Sequence, residues 1–178
     1  MKEEIIMAGF GGQGVMSLGR LLTYAGMKEG DEVSWMPSYG PEMRGGTANC
    51  TVIISSKQIP SPLSSQPDAI IVMNLPSLDK FAPCVKRGGA ILLNSSLINK
   101  EVDRDDVKII KVPANQIANE LGNTKVANMV MLGAYLAHKR IVKLETVKAA
   151  LQDVFPARRH NLIPINQQAL DRGVALLN

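Results

Sequence analysis

The chain alternates short, wholly apolar runs with longer stretches in which apolar residues recur every three or four positions. Ile5-Ile6-Met7-Ala8 has the pattern of a buried strand, and glycines follow at once. Residues 15–29 carry Leu18, Leu21, Leu22 and Ala25 at helical core spacing, and Gly30 supplies the stop. A second strand is predicted over 32–36, halted by Pro37, then a turn-rich stretch to residue 46 and a third strand over 49–55. Residues 59–67, with three prolines and three serines, read as a loop. Further strands are predicted at 68–74, 90–94 and 108–112, with a helix at 75–85. Beyond Pro113 the periodicity is helical: 114–121, 126–138, 144–155 and 164–177. In the third of these Leu144, Val147, Leu151 and Val154 make one apolar stripe.

Strands alternating with helices predict an α/β fold. The expectation is a Rossmann-like, mostly parallel sheet with flanking helices and a helical C-terminal third that covers the sheet or packs on a partner. The length of 178 residues fits one domain, 1–178. Apolar residues make up 46% and aromatics only 4%, so the core is expected to be aliphatic. No apolar run approaches the ~20 residues that cross a bilayer, and Met1-Lys2-Glu3-Glu4 leads straight into a strand. The expectation is a cytoplasmic chain with no membrane partner.

The net charge of +4 lies in the downstream part, where Lys139, Arg140 and Lys143, and Arg158, Arg159 and His160, stand close together. Two readings stand for these groups: solvated faces, or a patch for an anionic ligand or partner. No nucleic-acid motif or aromatic stacking surface accompanies them, so no nucleic-acid partner is expected. Cys50 and Cys84 read as small hydrophobes. An iron–sulfur cluster takes four thiolates, which this chain alone cannot supply. His138 and His160 lack companions at metal-ligand spacing.

Gly9, Gly11, Gly12, Gln13 and Gly14 form a G-x-G-x-x-G turn between a strand and a helix. Such a turn offers backbone N–H groups and a helix dipole to a phosphate; alternatively its glycines only permit tight packing. Nicotinamide dinucleotides normally need an acid at the end of the second strand. Here that strand ends Trp35-Met36-Pro37-Ser38, and Asp31 and Glu32 lie at its start. A different phosphate-bearing ligand stays open. The following loop gathers Ser38, Tyr39, Glu42, Arg44 and Gly45 at the expected C-terminal edge of the sheet, where ligands collect. Arg44 can fork onto a phosphate or carboxylate, or pair internally with Glu42. Asn128, on an apolar helix, reads as a satisfied core amide.

Gly-Phe-Gly-Gly-Gln-Gly-Val at 9–15 and Ser-Tyr-Gly-Pro-Glu-Met-Arg-Gly-Gly-Thr-Ala-Asn at 38–49 together resemble the gamma subunits of 2-oxoacid:ferredoxin oxidoreductases. The segments 128–134 and 166–173 look similar too. The resemblance implies an α/β unit that contributes to coenzyme A binding and assembly, and that holds no cofactor alone. It implies partner subunits carrying thiamine diphosphate and iron–sulfur clusters, with ferredoxin as the acceptor of the complex. The reaction implied converts a 2-oxoacid, coenzyme A and oxidised ferredoxin to acyl-CoA, carbon dioxide and reduced ferredoxin. The second loop looks closer to the 2-oxoglutarate and branched-chain types than to the pyruvate type. The rival readings are a stand-alone nucleotide-dependent oxidoreductase and a scaffold without a ligand.

Overall fold

A computed structural model describes residues 1–39 and 47–177. Six strands form one mixed sheet: β1 (Lys2–Phe10), β2 (Glu32–Tyr39), β3 (Thr47–Ser55), β4 (Ala69–Val72), β5 (Ala90–Asn94) and β6 (Lys108–Val112), in the order β2-β3-β1-β4-β5-β6. The helices are α1 (Val15–Lys28), α2 (Leu75–Phe81), α3 (Ala114–Glu120), α4 (Ala127–His138), α5 (Leu144–Val154) and α6 (Ile163–Ala175). None is long and apolar enough to cross a membrane.

From β1 through β4 and β5 to β6 the pairing is parallel, as the alternation of strands and helices predicts. The sheet departs from a plain parallel order at β3, which is antiparallel to both β2 and β1. The reason is length. Only residues 40–46 join β2 to β3, too few for the crossover of a dozen or more residues that parallel neighbours need. The strand β2 also runs on through Pro37 to Tyr39 instead of stopping. As an edge strand it tolerates a residue without an N–H.

Alternate residues of each strand face opposite layers. Ile5, Met7, Cys50, Val52, Ile71 and Leu92 pack under α1, α4, α5 and α6, whereas Ile6, Ala8, Ile70, Val72, Ile91 and Leu93 pack against Leu78 of α2 and the turn after it. The helix α1 settles closely on the β2–β3 hairpin. A Cβ at Gly19 would lie 2.5 Å from Cys50 Sγ and 2.9 Å from Trp35 Nε1. The helix α4 is buried on every side from Ala127 to Leu136. It touches α6 backbone to backbone: a Cβ at Gly133 would lie 2.1 Å from the Leu170 carbonyl oxygen, and one at Gly173 2.1 Å from that of Val130. This contact fixes the two helices to each other and so fixes where their N-terminal turns open.

Candidate functional site: a pocket at the carboxyl edge of the sheet

The turn between β1 and α1 is held by its own atoms. The Gln13 N–H donates to the Phe10 carbonyl at 3.1 Å. Gly12 and Gly14 have φ of +94° and +77°, the left-handed region that side chains disfavour. Gly9 and Gly14 are also required by packing. A Cβ on Gly9 would meet Gln13 Oε1 at 2.6 Å, and one on Gly14 would meet Asn128 Nδ2 at 2.4 Å.

Beside this turn, on its α1 side, lies a pocket of about 590 Å³, within the range of small-molecule sites. Gly11, Gly12 and Gly14 form one wall. The first turns of three helices complete it: Val15 to Ser17 from α1, Asn128 and Met129 from α4, and Asn166 from α6. No side chain caps α1, whereas in α4 the Asn128 Oδ1 accepts the Met129 N–H at 2.9 Å and in α6 the Ile163 N–H bonds to the His160 carbonyl just ahead of Pro164. The uncapped start of α1 leaves backbone donors without intrahelical partners, and all three starts carry the positive end of a helix dipole.

Lys125 and Arg159 add two full charges, and the described lining holds no carboxylate. Nearby cations on the outer faces are neutralised, Lys148 by Asp171 at 2.6 Å and Arg172 by Glu120. Phe10, Tyr39 and Phe155 supply aromatic surface at the rim. Asn128 and Asn166 are each 6% exposed. Asn128 Nδ2 donates to the Gly14 carbonyl at 3.1 Å, tying α4 to the glycine turn. Asn166 Nδ2 donates to the Leu162 carbonyl at 2.7 Å. The site can therefore receive an anion at the helix starts and present amides and aromatic faces to the rest of a ligand.

The residues singled out in the sequence separate here. Gly11, Gly12, Gly14 and Tyr39 line the pocket, and Gly9 and Gln13 support the turn from beneath without lining it. Ser38 is exposed on β2, opposite Asn49, and is not part of the lining. Glu42, Arg44 and Gly45 lie outside the described residues, but Tyr39 and Thr47, on either side of that segment, both line the pocket. Asn128 is hydrogen-bonded and buried as a core amide would be, yet it also faces the pocket.

Of the two basic clusters, only the second reaches the site, through Arg159; Lys139 lies at the opposite edge, bonded to Glu3. Lys125, Phe155 and Asn166 escape motif reading because they come from separate elements. Burial pushes the Cys50 thiol up to about 12, so it stays protonated and unreactive. No group of three or more His, Cys, Asp or Glu side chains able to hold a metal ion occurs among the described residues.

The chain and its fold have counterparts among known proteins. The ketoisovalerate oxidoreductase subunit VorA of Methanothermobacter marburgensis is 40% identical over 172 residues, covering 96% of this chain and 35% of VorA. The chain thus spans about a third of the length of that relative. The 2-oxoglutarate synthase subunit KorC of Methanocaldococcus jannaschii is 35% identical over 159 residues, 88% of this chain and 85% of KorC.

Among solved structures, the gamma subunit of a keto/oxoacid ferredoxin oxidoreductase from Geobacter sulfurreducens matches with a TM-score of 0.84 at 29% identity, covering 98% of both chains. The 2-oxoglutarate:ferredoxin oxidoreductase from Magnetococcus marinus, solved with 2-oxoglutarate, coenzyme A and succinyl-CoA, matches with a TM-score of 0.89 at 28% identity. That match covers 99% of this chain and 31% of the other. Residues 4–176 match the family described as pyruvate ferredoxin/flavodoxin oxidoreductase, and the chain belongs to that family.

Proposed function

We propose that the chain is the gamma-type unit of a 2-oxoacid:ferredoxin oxidoreductase, and that its pocket holds the phosphate-bearing part of coenzyme A. The observation that carries this reading is the convergence of the first turns of three helices, that of α1 uncapped, with Lys125 and Arg159 on one pocket whose described lining has no carboxylate. Such a site favours a multiply charged phosphate ester over a neutral or cationic ligand. The coenzyme A bound in the M. marinus enzyme, over a third of which this fold extends, supports the same choice of ligand.

In this reading Gly11, Gly12 and Gly14 bring backbone close to the phosphates, with Gly9 and Gln13 beneath them. Tyr39 stands at the rim, and Ser38, Glu42, Arg44 and Gly45 belong to a loop that faces coenzyme A or a partner subunit. Residues 1–178 act as one domain in the cytoplasm. Thiamine diphosphate and iron–sulfur clusters sit in partner subunits, where decarboxylation of the 2-oxoacid and electron transfer to ferredoxin take place. This chain's part is to hold and orient coenzyme A as the acyl acceptor. The preferred 2-oxoacid is 2-oxoglutarate, with a branched-chain acid second, in keeping with the KorC and VorA relatives. A dinucleotide is disfavoured, since β2 lies at the sheet edge with β3 between it and β1 and ends without an acid.

The test is steady-state kinetics of the reconstituted complex. Lys125→Ala and Arg159→Ala should each raise KM for coenzyme A about tenfold, the loss of one charge-assisted contact. The KM for the 2-oxoacid and the thiamine content should stay unchanged. Wild-type coenzyme A saturation in both variants would overturn the assignment.

A further inference from the structure

We propose that Gln13 is a positioning residue whose carboxamide closes the crevice between β1 and β4 and so decides on which side of the glycine turn the ligand lies. This rests on the coenzyme A reading above and deepens it. In an open α/β sheet, ligands bind beyond the carboxyl ends of two adjacent strands whose connections leave in opposite directions. Here those strands are β1 and β4. The helix α1 packs on one face of the sheet and leads towards β2, whereas α2 packs on the other face and leads towards β5. A diphosphate following that rule would cross the turn between them.

The last backbone rung between these strands runs from the Met73 N–H to the Ala8 carbonyl at 2.9 Å. In a parallel ladder the next rung would run from the Phe10 N–H to the Met73 carbonyl, because the residue opposite bonds alternately to positions i and i+2. Instead, the Gln13 carboxamide stands in that rung. Its Oε1 accepts the Phe10 N–H at 2.6 Å, and its Nε2 donates to the Met73 carbonyl at a longer 3.4 Å. The side chain acts as an inserted peptide unit that continues the ladder while filling the space beyond it. Gly9 gives it room, since a Cβ there would come 2.6 Å from Oε1.

Two consequences follow. The Phe10 N–H, a donor that a phosphate lying in the crevice would use, is already taken. Both backbone polar groups of Phe10 are also bonded to Gln13, one to its side chain and one to its own N–H. The Gly11–Gly12 segment is therefore clamped at its base and presented to the pocket on the α1 side, which it lines while Gly9 and Gln13 do not.

Gln13→Ala and Gln13→Glu in the reconstituted complex test this, with Arg159→Ala alongside. Gln13→Ala removes the clamp and should raise KM for coenzyme A roughly three- to tenfold, leaving kcat and the 2-oxoacid KM unchanged. Gln13→Glu keeps the shape and the acceptor for the Phe10 N–H, but it sets a negative charge under the phosphate site and an oxygen against the Met73 carbonyl. Its KM for coenzyme A should rise further than that of the alanine variant, and the excess should shrink as salt is added. A purely structural role would leave the difference between the two variants unchanged as salt is added. A salt-independent difference, or a wild-type KM in both Gln13 variants while Arg159→Ala raises it, overturns the inference and leaves the coenzyme A site standing. If Arg159→Ala also keeps the wild-type KM, the pocket assignment itself falls.

Discussion

The two edges of the sheet treat charge in opposite ways. At the amino edge Glu3, Asp68 and Arg104 each have internal partners. Glu3, 3% exposed, accepts hydrogen bonds from the Tyr135 hydroxyl and from Lys139 Nζ, both at 3.1 Å. Asp68 takes the Glu4 N–H at 2.8 Å and Lys86 at 3.0 Å. Arg104 forks onto Asp106 with bonds of 2.8 and 2.6 Å and reaches two carbonyls as well. At the carboxyl edge Lys125 and Arg159 face a pocket whose described lining has no acid, among the first turns of α1, α4 and α6. One edge completes its electrostatics within the fold. In the proposed reading the other is completed by coenzyme A, so charge removal should cost stability at the first edge and ligand affinity at the second.

The sharpest way to break this contrast is Lys139→Ala. It strands a buried carboxylate and should destabilise the fold by about 2 kcal/mol. That is less than the roughly 3–5 kcal/mol of a sealed pair, because the Lys139 side chain is 50% exposed. Chemical denaturation reads it directly. Tyr135→Phe removes one hydrogen bond from the same carboxylate and should cost about 1 kcal/mol, visible as a lower denaturation midpoint at unchanged slope.

The third test uses pH. Burial drives the Glu3 carboxyl above its ordinary 4.5, and Lys139 opposes this without reversing it. The folded chain therefore keeps that proton to higher pH than the unfolded chain does. The stabilisation from this shift is present in full below the unfolded value and is lost as pH rises through the folded one. Relative to Glu3→Gln, the wild-type melting temperature should fall as pH is raised from 4.5 towards neutrality. A difference that grows with pH would mean that the Lys139 pairing outweighs burial. The smallest effect belongs to Arg159→Ala, within about 0.5 kcal/mol of wild type in stability. A loss above about 1 kcal/mol would make Arg159 a structural cation and dissolve the contrast.

Much of this architecture is legible in the chain before folding. The apolar runs of β1, β4 and β5 and the leucine spacing of α1 leave little choice of element. The antiparallel β3 was legible in principle, since nothing helical separates it from β2, but alternation along the rest of the chain masks that one short connection. At the site, the glycine turn is local and could be read. The clamp by Gln13 could not, because it depends on the Met73 carbonyl, just past β4 and 60 residues away. Lys125, Asn166 and Arg159 share no spacing; only the backbone contact of α4 with α6 at Gly133 and Gly173 brings their surroundings to one opening.

The close seat of α1 on the hairpin gives the molecule a built-in optical gauge. Its single tryptophan, Trp35, lies under Gly19 with its indole nitrogen near the Cys50 thiol, a group that quenches indole emission. Ser17, two residues back along the same helix, lines the pocket. A ligand that drew the first turn of α1 towards itself would change the spacing of ring and sulfur, and a titration of intrinsic fluorescence would then read occupancy of the pocket without any label.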